Sequence, residues 1–238
     1  MEVSSPRFGR AVVLFTGNAD RESRAKGLPR GALPLLHRRI RALVRRMPHT
    51  ALIEARETRR GMELVGMPGS GVVVAGRDPW LKVEHAVSAV RAVFSEVVVL
   101  AGDVAGLTSG VVEDAFRRLQ SGDDAVVGRS PDGGFYLAAF RPGIRIEWTG
   151  LQWGGSTVAS DFISRLRTAG LRVTESVSLA DADDASSLER SRRDCCPGLA
   201  AALGALMDAT IYVSELPLLS RLLVVSSNPL RAPPSPAI

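Results

Sequence analysis

Four aspartates in this sequence are candidates for metal binding or catalysis. Asp103 follows the β-branched run VVVLAG, Asp132 lies in the turn sequence SPDGG, and the pair Asp181 and Asp183 belongs to LADADD. Each stands beside an expected element of a sheet. Carboxylates that converge on the carboxyl edge of a parallel sheet can hold Mg²⁺ or Mn²⁺, and the ion can neutralise a nucleotide diphosphate. A single aspartate in such a place is as often a helix cap or a turn former, so the prediction depends on the four together.

Asp132 is followed by two glycines and then by an aromatic strand sequence, FYLAAF. Gly133 and Gly134 permit a positive φ and let the backbone approach a ligand closely. This pattern favours a catalytic Asp132 with the two glycines contacting the ligand. The alternative is that the DG pair closes a plain hairpin.

A basic segment, TGNADRESRAKGLPRG, follows the first expected strand, AVVLF. We predict that it is a loop at the carboxyl edge of the sheet, where open α/β sheets bind their ligands. Arg21 and Arg24 can grip phosphate oxygens through a bidentate fork, and Lys26 can do so as a point charge. The alternative is a solvated basic loop without a ligand.

Other residue types that often do chemistry are not arranged for it. His37, His49 and His85 are scattered without metal-ligand spacing, and we assign no chemistry to them. Cys195 and Cys196 are adjacent, which is neither a zinc spacing nor a disulfide framework and is typical of a reducing compartment. The segment GMPGSG lacks the Lys-Ser/Thr pair of a P-loop, and the sequence has no G-x-G-x-x-G dinucleotide fingerprint.

The hydrophobic pattern predicts the strands and helices that would position these residues. The strands are AVVLF, TALIEA, a short GVVVAG, VVVLAG, DAVVGR, FYLAAF and the extended run LRVTESVSL. Apolar residues at helical spacing predict helices over 36–47, over 79–94, after Thr108 and over 156–170. Such alternation is the signature of βαβ units, so we expect an α/β fold with a mostly parallel sheet. We divide the chain into a domain over 1–190 and a helical extension with a disordered tail over 191–238.

The composition bounds the class of protein and its partners. The chain has 238 residues, a hydrophobic content of 45% that is ample for a sizeable core, and a formal net charge of +5. Its basic residues are nearly all arginine, because Lys26 and Lys82 are the only lysines. An aromatic content of 5% argues against a nucleic-acid partner, and acidic small molecules remain natural ligands. Apolar segments are too short to span a bilayer, so we expect a soluble cytoplasmic protein with no membrane partner.

The motifs AGDVAGLT, GRSPDGGFYLAAF, LQWGGSTV and LADADD, in this order, resemble those of a bacterial glycosyltransferase-A-like family, the selenodomain-associated or arsenosugar-biosynthesis glycosyltransferases. The similarity runs from about residue 11 to about residue 188 and is strongest over 97–158. It implies a nucleotide-diphospho-sugar transferase fold, a three-layer α/β/α sandwich. It also implies that Asp103, with the closing Asp181 and Asp183, binds Mg²⁺ or Mn²⁺, and that Asp132 is the aspartate of the family's DGG turn.

The resemblance is incomplete at two places. Many relatives have a second acid where this chain has Ala105 and Gly106, and Gly17 replaces the first lysine of the family's N-terminal loop. Trp153 and Ser156 are expected to border an acceptor pocket, with simple packing as the alternative for Trp153.

The expected function is metal-dependent transfer of a glycosyl group from a nucleotide-sugar to an unknown acceptor. Nucleotidyl transfer from a nucleoside triphosphate, or non-catalytic binding of a nucleotide or a protein, are the alternatives.

Overall fold

The computed structural model describes residues 8–58, 61–68, 73–74, 79–152 and 154–209. Strands and helices largely alternate along this part of the chain. The strands are β1 (Phe8–Thr16), β2 (Thr50–Thr58), β3 (Gly61–Val65), β4 (Val73–Val74), β5 (Phe94–Ala101), β6 (Ala125–Arg129), β7 (Phe135–Phe140) and β8 (Val173–Glu175). The helices are α1 (Ala19–Ala25), α2 (Ala32–Arg45), α3 (Pro79–Val93), α4 (Ser109–Gln120), α5 (Val158–Thr168), α6 (Ala185–Arg193) and α7, which covers 197–209.

One sheet of eight strands, in the order β4-β3-β2-β1-β5-β7-β6-β8, forms the centre of the described chain. β1 pairs in parallel with both β2 and β5, and β6 pairs in parallel with β8. β3 and β7 run against their neighbours, so the remaining strands all point in one direction. This confirms the predicted α/β fold with a mostly parallel sheet. It also means that β1, β2, β5, β6 and β8 end at the same edge.

Two apolar clusters cover the two faces of the sheet. Side chains of β1 alternate between them: Ala11 and Val13 pack with α3 and α5, whereas Val12 and Leu14 pack with α2 and α4. A period of two with apolar residues on both sides is the pattern of a strand buried on both faces. The molecule is therefore a three-layer α/β/α sandwich, as the resemblance implies.

The basic segment after β1 contains a helix, where the sequence analysis predicts a loop. α1 forms because the Asn18 side chain caps it, accepting a hydrogen bond of 3.0 Å from the backbone N–H of Arg21. The helix ends at Ala25, with Lys26 as its C-terminal cap. Glu22 and Lys26 are four residues apart and thus lie on one side of α1.

The domain boundary predicted at residue 190 falls inside α6. A third apolar cluster joins α2 to α6 and α7; its members include Leu33, Leu36, Leu188, Leu199 and Leu203. The extension is therefore packed on the sandwich as far as Met207, the last residue that contacts this cluster. Residues 210–238, with the predicted tail, lie outside the described residues. Within the described ranges, no helix has the length and apolar character needed to cross a membrane.

Candidate functional site

A cavity of about 560 Å³ opens at the edge of the sheet where the parallel strands end. The ends of β1 and β5 line it, together with the turn between β6 and β7 and one side of α3. Its charged lining consists of Glu22, Lys26, Glu57, Lys82, Asp103, Asp132, Asp181 and Asp183. All four of the predicted acids thus meet at one cavity, whose size is typical of a small-molecule site.

Asp103 links the middle of the chain to the closing acids. It follows β5 and is only 9% exposed. Its backbone carbonyl accepts a hydrogen bond of 3.1 Å from the N–H of Ala182, the residue between Asp181 and Asp183. This backbone contact explains why acids far apart in sequence lie side by side.

The Lys26 ammonium lies among three carboxylates. Its Nζ is 2.7 Å from Asp103 Oδ2, 2.7 Å from Asp183 Oδ1 and 3.3 Å from Glu22 Oε1. Burial by itself would lower the pKa of Lys26, but attraction to Asp103 and Asp183 outweighs it and raises the pKa. The pKa of Glu22 is raised, chiefly by burial and against the effect of Lys26. Lys26 is therefore a charged counter-ion for these acids.

Asp132, Asp181 and Asp183 form a group that could hold a metal ion. One carboxylate oxygen from each lies within 4.8 Å of those from the other two. Carboxylates are the ligands that Mg²⁺ and Mn²⁺ prefer. Asp103, which the resemblance assigns to the metal, lies beside this group and is paired with Lys26.

The Asp181 carboxyl shows how crowded these acids are. Its pKa is raised to about 7, first by burial and then by repulsion from Asp183, Asp103 and Asp132. Both effects favour the neutral acid. A cation bound among the carboxylates would favour the ionised form instead, so the arrangement is suited to a cation.

The last aspartate of LADADD has a structural role. Asp184 caps α6, because its Oδ1 accepts a hydrogen bond of 2.6 Å from the Ser187 N–H. The Asp184 N–H donates in return to Ser187 Oγ at 2.9 Å, which completes a capping box. This box fixes the start of α6, and with it the segment that carries Asp181 and Asp183.

The DGG turn joins β6 and β7 into an antiparallel hairpin, the alternative left open by the sequence. Asp132 Oδ1 accepts a hydrogen bond of 3.0 Å from the Gly134 N–H inside this turn. Gly133 has a φ of +97°, which residues with a Cβ rarely adopt. Because Asp132 and Gly134 also line the cavity, the hairpin turn is itself part of the site.

The other predicted residues lie in different places. Arg21 and Arg24 are exposed on α1 and do not line the cavity, in contrast to Lys26 at the end of the same helix. Ser156 is exposed in the loop before α5, where its carbonyl lies against Gly133. Trp153 lies outside the described residues.

Residues 75–155 match a sequence family described as an uncharacterized protein conserved in bacteria, DUF2064. The match covers less than half of the chain. It includes Asp103 and Asp132 but neither Asp181 nor Asp183. No curated protein matches the chain.

Solved structures share the fold. A protein of Desulfovibrio desulfuricans G20, provisionally named as a nucleotide-diphospho-sugar transferase, aligns with a TM-score of 0.66 and 19% identity, over 84% of this chain and 97% of that one. A homologue of Mycobacterium tuberculosis Rv0371c from Mycobacterium sp. strain JC1 aligns with a TM-score of 0.48 and 20% identity, over 83% and 98%. CMP:2-keto-3-deoxy-manno-octonic acid synthetase, complexed with CTP, aligns with a TM-score of 0.48 and 13% identity, over 76% and 96%. The first of these likenesses shows that the chain has the fold of the Desulfovibrio protein.

Glu22 and His37 also line the cavity, although neither is among the predicted site residues. Glu22 becomes visible once the basic segment is read as a helix, because it then lies one turn from Lys26. His37 follows Leu36 on the buried side of α2 and contacts the end of β5. A Cβ at Gly102 would lie 2.7 Å from the His37 imidazole, so the backbone before Asp103 packs directly on this ring.

The burial of His37 predicts acid sensitivity. It is 4% exposed, and burial, followed by repulsion from Arg41, lowers its pKa from 6.5 to about 4. The folded state therefore keeps the ring neutral, whereas the unfolded chain takes up a proton below pH 6.5. This ring alone therefore lowers the free energy of unfolding by about 3 kcal/mol as the pH falls through this range, whereas Asp181, whose pKa is raised, acts in the opposite direction.

We expect His37→Gln to reduce this loss, because the variant has no imidazole to protonate on unfolding. Urea unfolding of both proteins at pH 7 and pH 4.5 measures the difference. His85→Gln is the matched control, since His85 is exposed on α3. An equal pH dependence in wild type and His37→Gln would show that this ring does not cause it.

Proposed function

We propose that this protein is a metal-dependent transferase that uses a nucleotide-diphospho-sugar as its donor. The proposal is carried by the group of Asp132, Asp181 and Asp183, whose carboxylate oxygens lie within 4.8 Å of one another at the wall of a cavity. Carboxylates this close repel one another unless one of them is protonated, as the raised pKa of Asp181 allows, or a cation joins them. Phosphate oxygens readily complete the coordination of such a cation, so a diphosphate is a fitting ligand.

The donor set fits Mg²⁺ or Mn²⁺. The group consists of carboxylates alone, and both ions prefer hard oxygen ligands. Asp132, Asp181 and Asp183 would hold the ion, which when bound would stabilise the negative charge that develops on the leaving diphosphate. Lys26 balances the charge of Asp103 beside them.

The cavity offers separate surfaces for the two substrates. The acids and Lys26 give the cavity its charged lining, whereas Met62, Val83 and Phe135 give it an apolar lining that belongs to the cluster on the α3 and α5 face of the sheet. Lys82 and Glu57 form an ion pair of 3.3 Å on this apolar side. We assign the diphosphate of the donor to the charged side and the acceptor to the apolar side.

Asp132 is the proposed catalytic carboxylate. It lies on the hairpin turn that also leads into Phe135, so it stands between the charged and the apolar surfaces. The carboxylate oxygen that does not hold the ion can take the proton of an acceptor hydroxyl. The acceptor oxygen then bonds to the anomeric carbon while the bond from that carbon to the diphosphate breaks. Arg21 and Arg24, exposed on α1 and outside the lining of the cavity, are not assigned a contact with the diphosphate bound there.

The proposal is tested by a stability screen with nucleoside diphosphates, nucleoside triphosphates and nucleotide-sugars, each with and without Mn²⁺. A ligand specific for the folded state raises the free energy of unfolding by about 3 kcal/mol at a hundred times its dissociation constant. We expect stabilisation by one nucleotide-sugar and its diphosphate when Mn²⁺ is present. If no nucleotide stabilises the protein, the proposal is wrong.

Product analysis separates the possible chemistries. Slow release of a nucleoside diphosphate from the stabilising nucleotide-sugar supports glycosyl transfer. Release of pyrophosphate from a nucleoside triphosphate would replace this proposal with nucleotidyl transfer. Metal-dependent binding without either product would indicate a nucleotide-binding protein that is not an enzyme.

A further inference from the structure

Lys26 divides the acids of the cavity into two groups. Its ammonium is within 3.3 Å of Glu22, Asp103 and Asp183. Asp132 and Asp181, by contrast, form no ion pair with a basic side chain among the described residues. Together with Asp183 they make up the second group, so Asp183 belongs to both groups. One group thus has its own cation, and the other has none from the protein.

Lys26 provides one positive charge that three carboxylates share. Three carboxylates surround Nζ, at 2.7, 2.7 and 3.3 Å. The two shorter distances are those of charge-assisted hydrogen bonds between an ammonium and a carboxylate, about 2.7–2.9 Å. The ammonium donates a hydrogen bond to Asp103 and forms ion pairs with Asp183 and Glu22, so its charge is already balanced by these acids.

The end of α1 fixes the main chain of Lys26, and ion pairs hold its ammonium. Lys26 ends α1, where its N–H donates to the Glu22 carbonyl at 2.9 Å. Its side chain is 20% exposed and reaches Asp103, which follows β5, and Asp183, which precedes α6. A cation built into a helix end in this way is present whether or not metal is available.

We propose that Lys26 takes the place of a second metal ion and limits the site to one divalent ion, held by Asp132, Asp181 and Asp183. The inference rests on the metal binding of the proposed function. It assigns Asp103 to Lys26 and not to the ion. Lys26 is a positioning residue, because it orients Asp183, the acid that the two groups share.

Titration with Mn²⁺ alone, without nucleotide, tests the inference. Electron paramagnetic resonance of unbound Mn²⁺ gives the number of ions bound per chain. We expect one ion in the wild type and two in Lys26→Met, because removal of the ammonium leaves Glu22, Asp103 and Asp183 as an uncompensated acidic group. Lys26→Arg keeps the charge and should bind one ion. Arg45→Met, which removes a charge from an exposed position of α2, should also bind one.

A folded Lys26→Met protein that still binds one ion overturns the inference, as does a wild type that binds two. In both cases the proposed metal dependence survives. A wild type that binds no Mn²⁺ overturns the inference and the metal dependence together. The nucleotide screen then decides independently whether a nucleotide site exists.

A second comparison does not depend on the folding of Lys26→Met. Asp132→Asn removes a proposed ligand of the ion, whereas Asp103→Asn removes a partner of Lys26. Both lose one charge near the ion, so long-range electrostatics affects them alike. We expect Asp132→Asn to weaken Mn²⁺ binding at least about tenfold more than Asp103→Asn, in line with the loss of a direct ligand. Equal losses, or a larger loss in Asp103→Asn, would place Asp103 on the ion and overturn the inference.

Discussion

Asp183→Asn is expected to weaken Mn²⁺ binding at least about a hundredfold and to abolish metal-dependent stabilisation by nucleotide. Asp183 is the acid that the metal group shares with Lys26, whose Nζ is 2.7 Å from its Oδ1. An amide keeps the size of the side chain but removes the charge that both cations require. The loss should therefore exceed that of any other single acid of the cavity. Mn²⁺ titration and thermal unfolding with nucleotide measure it.

The fold should survive this substitution. The Asp183 side chain is 46% exposed, and the cap of α6 depends on the neighbouring Asp184. Asp208→Asn is the matched control, because it removes one negative charge from an exposed position on α7. If Asp183→Asn binds Mn²⁺ as tightly as Asp208→Asn does, then the acids of the cavity are not a metal site, and the proposed function loses its basis.

The position of the acids could be predicted from the sequence because it follows from strand geometry. Parallel strands that are buried on both faces are read as continuous apolar runs, and each run ends at the same edge of the sheet. Asp103 after VVVLAG and Asp132 after DAVVGR are thereby brought to one edge before any contact is known. The meeting of four distant carboxylates is a consequence of this rule.

The division of these acids between two cations could not be predicted. It depends on α1, which brings Glu22 and Lys26 to one side of a helix, and the basic composition of that segment favours a loop. It depends also on the hydrogen bond between Ala182 and Asp103, a backbone contact without a sequence signal. Ion pairing is decided by distances of a few ångströms, which strand and helix periods do not fix.

The direction of each strand also could not be predicted from the hydrophobic pattern. FYLAAF is as continuously apolar as VVVLAG, because β7 is also buried on both faces, yet β7 runs antiparallel to both of its neighbours. The short turn at Asp132 decides this, since two residues or a few more can join antiparallel strands but not parallel ones. The DGG sequence therefore has two roles, as a hairpin turn and as a wall of the cavity.

Gly133→Ala is expected to destabilise the protein by about 3 kcal/mol and to weaken Mn²⁺ binding, because strain and overlap act at the same position. The φ of Gly133 is +97°, and a Cβ built there would overlap the Ser156 carbonyl group. The Gly133 carbonyl also accepts a hydrogen bond of 2.9 Å from the Ala159 N–H, so the turn cannot move away without losing the start of α5. Any shift of the turn displaces Asp132, the residue directly before Gly133.

Gly143→Ala separates the two causes. Gly143 has a φ of +80°, and a Cβ there would have no atom within 4 Å, so this substitution adds strain without overlap. It should cost about 1 kcal/mol, the lower end of the range for a residue held at positive φ, and leave Mn²⁺ binding unchanged. Urea unfolding gives both free energies, and Mn²⁺ titration gives both affinities. A Gly133→Ala protein no less stable than Gly143→Ala would mean that the hairpin turn and the loop before α5 are not packed together, and that Asp132 is free to leave the acid group.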